Sequence, residues 1–338
     1  MEAEGAGPVS VRLKALWTKL LPWGSLAVGI AGALFMDRGP KRGALLAGAA
    51  IAMWLTLFVV RILGDRAQAL GMEGRRPFFV RAVEFSSLLA TQSLVHLGLF
   101  FALPFYVQAA SFDIGHGLFL AGLCALSLAS LWDPLSEWLL RHPLLAPLLP
   151  ASASFAALCA VLPGLGLSTQ ESLWAACAIS CSGVLATALA GARAGERART
   201  SLLTALAVLL FPLALGLGAG RIVPAAPLRL MQIEIGTRRE GRWVADPAER
   251  FAAAPARLVC ATAIFSPLGV RDRLFHVWTR DGQPRARIEL DIRGGRGAGF
   301  RTLSRIGPLG ARPAGQYRCS VVTQAGQVLG SRTVRVGR

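Results

Sequence analysis

Lysine is almost missing from this chain. Only Lys14, Lys19 and Lys41 occur, so a formal net charge of +17 is carried almost wholly by arginine. Charge of either sign is scarce: 16% of the 338 residues are charged, 54% are hydrophobic, and the mean hydropathy is +0.51. Soluble domains usually carry about 25% charged residues, so this composition argues for a membrane protein. The six cysteines include no zinc-like pair of CxxC units. Cys177 and Cys181 stand four apart on one helical face, as small residues do in packed membrane helices. The four histidines, at 96, 116, 142 and 276, cannot share a site without crossing a bilayer. No G-x-S-x-G elbow is present, and "GLGAGR" (216–221) follows an apolar helix rather than a strand, which excludes a phosphate cradle. We therefore expect no reaction, no cofactor and no metal.

What the chain does have is length in its apolar runs. Stretches near the ~20 residues that a spanning helix needs recur at 20–36, 44–63, 86–109, 117–132, 151–167, 172–191 and 200–219. About seven spans are expected, making residues 1–223 a multi-pass helical bundle. The segment 133–150 is broken by Pro134, Pro143, Pro147 and Pro150. Proline disrupts helices, so this segment reads as interfacial, a level that suits Trp132 and Trp138.

Basic residues set the orientation. With the N-terminus cytoplasmic, inside loops hold Arg12, Lys14, Lys19, Arg61, Arg66, Arg75, Arg76, Arg81, Arg141, Arg193, Arg197 and Arg199. Outside loops hold only Arg38, Lys41 and Arg42. The positive-inside rule then places the C-terminal tail outside. The alternative of a cleaved signal ending near "AGA" (31–33) leaves the tail outside as well. Within the third span, Glu84, Gln92 and His96 share one face with Ser87 and Thr91. Ionisable groups inside a membrane are expensive, so this face is a candidate polar path for a transporter or sensor. Its alternative is an interfacial Glu84 beside Arg81, with Gln92 and His96 bonded to neighbouring helices.

After Pro224 long apolar runs stop and short alternating segments begin, the pattern of an all-β domain. Met231, Ile233 and Ile235 mark a first strand. Others are expected near 257–264, 272–279, 285–292, 299–306, 315–323 and 327–336, with turns at "RDGQP" (280–284) and "TQAGQ" (323–327). Residues 224–256 read as this first strand and a linker, with a short strand near 242–244, and 257–338 as the body of the domain. Seven strands in this length suit an immunoglobulin-like sandwich. That fold places cysteines on its second and sixth strands, a tryptophan on its third, and a tyrosine two residues before the second cysteine. Cys260, Trp278, Cys319 and Tyr317 occupy those positions. Cys260 and Cys319 are thus expected to meet across the core, as a disulfide if the compartment is oxidising or as two buried thiols.

The blocks "CATAIFSPLG" (260–269), "HVW" (276–278), "LDIRGGRGAGFRTLS" (290–304) and "GQVLGSRTVRV" (326–336) resemble the bacterial domain of unknown function 2914. The helical half is similar to the membrane regions fused to that domain. The resemblance implies a membrane-tethered envelope protein and brings no activity with it.

Two features of the tail are candidates for binding. Arg293, Arg296 and Arg301 surround a glycine-rich connection, and arginine forks match phosphate or carboxylate; the alternative is a tight turn with solvated arginines. His276 shares a strand face with Trp278, and Ser304 is a companion in principle, although a structural histidine fits better. From Pro224 onward the chain has 20 arginines and 8 acids. Such a tail suits an anionic partner, whether lipid head groups, peptidoglycan or an acidic envelope protein. RGG repeats also bind RNA, but the expected compartment argues against nucleic acid. The leading expectation is a non-enzymatic inner-membrane protein displaying a basic periplasmic sandwich. A small transporter or sensor, and then a membrane-bound enzyme of envelope lipids, are the alternatives.

Overall fold

The computed structural model describes residues 95–132 apart from short gaps, 148–193, 222–266, 272–290 and 299–337, with a few isolated positions such as Trp23 and Ile292. Its helices are α1 (Gly98–Ala109), α2 (Ile114–Leu131), α3 (Leu148–Val161) and α4 (Thr169–Arg193). A 3-10 turn, Leu162–Leu165, follows α3 with Pro163 at its start. Among the described residues, α2 is the one helix long and apolar enough to cross a membrane. It lies at the expected fourth span; α1, α3 and α4 lie at the expected third, fifth and sixth, but they are shorter or less apolar, so the described residues do not support a seven-span bundle. The spans expected at 44–63, and nearly all of those at 20–36 and 200–219, lie outside the described residues.

Small residues let these helices approach closely. A Cβ on Gly98 would stand 3.1 Å from the Ala153 carbonyl oxygen, so α1 and α3 touch nearly backbone to backbone there. Nearby, the Tyr106 hydroxyl donates to the Ala156 carbonyl at 3.1 Å. Helix α4 begins with a capping box. The Ser168 backbone N–H donates to the Glu171 carboxylate at 2.8 Å, and the Glu171 N–H donates back to the Ser168 hydroxyl at 3.2 Å.

The rest is a β-sheet domain. Its strands are β1 (Arg229–Gly236), β2 (Arg239–Glu240), β3 (Trp243–Val244), β4 (Arg250–Phe251), β5 (Leu258–Phe265), β6 (Leu274–Arg280), β7 (Gln283–Leu290), β8 (Phe300–Ile306), β9 (Gly315–Thr323) and β10 (Val328–Val336). One sheet has the order β1-β5-β8 and a second the order β4-β10-β9-β6-β7. All seven strands expected from alternation are present, displaced by no more than about two residues at most ends. The β6–β7 turn falls at Asp281–Gly282, both with positive φ (49° and 81°). This is the two-residue hairpin geometry whose twist matches the flanking strands.

The sheets face each other. Ile235, Leu258 and Cys260 of the first pack with Trp278, Tyr317, Cys319, Val334 and Val336 of the second. Strand β5 is buried on both faces, because the small β2–β3 hairpin folds over its outer side and covers Val259 and Ala261 with Trp243 and Val244. The stretch 238–256, read as a linker from its prolines and charges, is therefore part of the domain. Its strands are too short to show alternation, yet β4 extends the second sheet beside β10 and Asp246 Oδ1 accepts the N–H groups of Thr237 and Arg238.

Candidate functional site

Side chains on β5, β6 and β8 converge on the interior face because strand residues two apart share a side. Cys260 pairs in register with Ser304, and Trp278 with Cys319. Cys260 and Cys319 are joined by a disulfide, with Cα atoms 6.6 Å apart. Next to it, His276 Nδ1 lies 2.6 Å from the Ser304 hydroxyl and Nε2 lies 3.0 Å from the Thr262 hydroxyl. The Trp278 indole N–H donates to the same Ser304 oxygen at 2.9 Å. Thr262, His276, Trp278 and Ser304 are all buried. Burial pushes the His276 imidazole down to about 4, so it is neutral at pH 7.

Ser304 and His276 meet the distance requirement of a nucleophile and its base. Their burial leaves no space for a reacting carbonyl, so the arrangement is a satisfied polar knot within an apolar core. The Cys260, His276 and Cys319 donor atoms lie within 4.8 Å of one another. That set could ligate a soft metal only after reduction, since thiolates, not disulfide sulfurs, bind metals. The tyrosine expected at the corner is in place: the Tyr317 hydroxyl donates to the Pro313 carbonyl at 2.9 Å.

The other candidates fare differently. Arg301 is exposed on the outer face of β8, its guanidinium 5.4 Å from the centre of the Trp243 ring. Arg293 and Arg296 lie outside the described residues, as do Glu84 and Gln92. His96 is buried, and its Nε2 lies 2.6 Å from the Ser130 carbonyl oxygen. A carbonyl only accepts, so Nε2 carries the proton. Ser130 is in the last turn of α2, where helix carbonyls lack intrahelical partners. His96 thus caps α2 from a neighbouring helix.

Sequence reasoning missed the seam between helices and β domain. The Thr169 N–H and hydroxyl both donate to Asp272 Oδ2, the former at 3.2 Å. Thr169 is the first residue of α4, so its N–H is one of the orphans at a helix start. Burial raises the Asp272 carboxyl above the ordinary range, although these two hydrogen bonds pull it down. Arg229 Nη1 donates to Gln108 Oε1 at 2.8 Å while its guanidinium stacks 4.5 Å from the Phe265 ring centre. Buried Gln327, on the β9–β10 turn, donates to the Val223 carbonyl at 3.1 Å. The only signal in the sequence was the presence of polar residues at the ends of apolar segments, which marks most loops equally.

The model of the family of unknown function DUF5924 matches residues 8–257, well over half the chain. The chain belongs to that family. A model of the protein of unknown function DUF2914 matches residues 271–336. The boundary between the DUF5924 and DUF2914 matches falls inside the β domain: β1 to β4 precede it, yet β1 pairs along β5 and β4 along β10. No curated protein matches the chain.

Proposed function

We propose that this DUF5924 chain is a multi-pass protein of the bacterial inner membrane that holds an immunoglobulin-like β domain in the periplasm, where the domain binds an anionic envelope partner without catalysing a reaction. The observation that carries this reading is the seam. Gln108 at the end of α1, Thr169 at the start of α4 and Val223 after the last helical residues all contact the β domain. Alternating passes that begin in the cytoplasm put those three points on the outer side, together with the tail.

The polarity of α2 supports membrane immersion. Ile114 and Leu118 are 81% and 68% exposed while His116, Ser127 and Ser130 are buried. A helix facing water has the reverse arrangement, whereas polar groups in a membrane turn toward the bundle. The Cys260–Cys319 disulfide fits an oxidising compartment. Engagement of His96 with the Ser130 carbonyl favours helix packing over a polar path.

The test is topology joined to capture. A reporter fused after residue 338 should be active only as an exported form, and an impermeant thiol reagent should reach an Arg318→Cys variant in intact cells. Crosslinking from that position should then recover an acidic envelope component. Labelling only after the membrane is opened would refute the placement.

A further inference from the structure

At the end of the β domain opposite the seam contacts of Asp272 and Gln327, Arg250, Arg335 and Gln316 form a row across three neighbouring strands, β4, β10 and β9. Arg335 is the register partner of both Arg250 and Gln316. All three are exposed, and the inward residues Val334 and Val336 fix Arg335 on the outer face. With Gly315, Val336 and Gly337 they line a cleft of about 410 Å³.

Like charges directly opposite on paired strands destabilise a sheet. Here the repulsion is left uncompensated: among the described residues, neither guanidinium has a carboxylate or carbonyl partner. The nearby acids are already engaged. Glu249 pairs with Arg332 at 2.8 Å, and Asp281 accepts the Gln316 N–H at 2.8 Å with Arg280 Nε 3.6 Å away. Two guanidinium forks and an amide NH₂ from register-paired positions line one cleft, and guanidinium forks are the donors that hold an oxyanion in paired hydrogen bonds.

We propose that this cleft is an oxyanion-binding site, taking a carboxylate or phosphate carried by a molecule that approaches from the aqueous side. Its position excludes head groups of the chain's own bilayer. The seam contacts lie at the Asp272 and Gln327 end, whereas Gln316 is seven residues along β9 from Thr323, about 24 Å at strand rise. This deepens the binding role proposed above and names its chemistry.

The full chain in phosphatidylcholine nanodiscs should be titrated at low salt with hexaglutamate and, separately, with inorganic phosphate. At least one probe should bind, which identifies the anion. Arg335→Gln should weaken that binding at least about tenfold, and the Arg250→Gln/Arg335→Gln pair should abolish it. Arg287→Gln, on the same sheet but stacked on Phe275, should leave it unchanged, and unaltered thermal midpoints should show that each variant is folded. No binding of either probe to the wild type, or equal binding by the double variant, would overturn the site. This outcome is independent of topology, so a cytoplasmic tail would refute the compartment while leaving the cleft to be judged on these titrations.

Discussion

The two regions of this molecule solve the burial of polar groups in opposite ways. In the helices, buried polar groups end on single backbone carbonyls. On α2, Ser127 donates to the Leu123 carbonyl and Ser130 to that of Ser127, and between helices Tyr106 and His96 reach the Ala156 and Ser130 carbonyls. In the β domain the buried polar groups reach across strands, with Thr262, His276, Trp278 and Ser304 forming one network between two sheets. Cysteine usage divides the same way. Cys124, Cys159, Cys177 and Cys181 of the helices are free thiols, while Cys260 and Cys319 are bonded. Helices satisfy their backbones internally and need little from neighbours beyond close packing. Two packed sheets gain their stability from contacts distant in sequence, so a cross-link is worth more there.

Reduction should expose that contrast most strongly. Cys260 and Cys319 are 59 residues apart, and closing a loop of that length stabilises by about 4 kcal/mol in the chain-entropy model. A Cys260→Ser/Cys319→Ser protein, or wild type held in reductant, should show early loss of amide protection in β5, β6 and β9, with protection in α1 to α4 unchanged. Hydrogen exchange resolved by peptide would read both regions at once. Equal loss in the helices would mean that the two regions unfold as one unit.

A second separation comes from acid. The His276 imidazole sits at about 4 in the fold because burial disfavours its charged form, against roughly 6.5 when unfolded. The unfolded chain therefore binds the extra proton first. The stability held by neutral His276 is complete above about pH 6.5 and is lost as pH falls toward 4, a total of about 3 kcal/mol. Denaturant midpoints of the β domain should fall over that window, and His276→Gln should flatten the dependence while lowering stability at pH 7.

The β domain was legible before any coordinates because its elements announce themselves locally. Tyr317, Cys319 and Val321 alternate inward on β9, and the Asp281–Gly282 pair can hardly be anything but a hairpin turn. The disulfide was visible only as an alternative, since a buried thiol and a bonded one look alike in sequence. The hydrogen bond between His276 and Ser304 depends on β6 and β8 facing each other from separate sheets, and one weak cue, a shared strand face with Trp278, pointed toward it. Strands β2 and β4 were hidden by their two-residue length, whereas β3 falls at the short strand expected near 242–244. The paired arginines of the distal cleft were hidden too, since Arg250 and Arg335 are joined only by a parallel bridge across 85 positions of sequence. The Arg293–Arg301 connection is conspicuous in the sequence for the opposite reason, since its glycines and arginines cluster along the chain.

The smallest expected effect lies where the two regions meet. Thr169 offers two donors to Asp272, and the carboxylate stands against the positive end of α4, an interaction worth about 1 kcal/mol when partly buried. Asp272→Asn keeps the shape but removes the charge; Thr169→Val removes the hydroxyl and keeps the N–H. If the contact ties the domain to the bundle, each single change should speed exchange at the start of α4 by about fivefold, as 1 kcal/mol implies. The double variant should be little worse than either single change, because both remove the same interaction. Additive effects would show instead that Thr169 and Asp272 act through different neighbours, leaving Arg229–Gln108 and Gln327–Val223 to hold the seam.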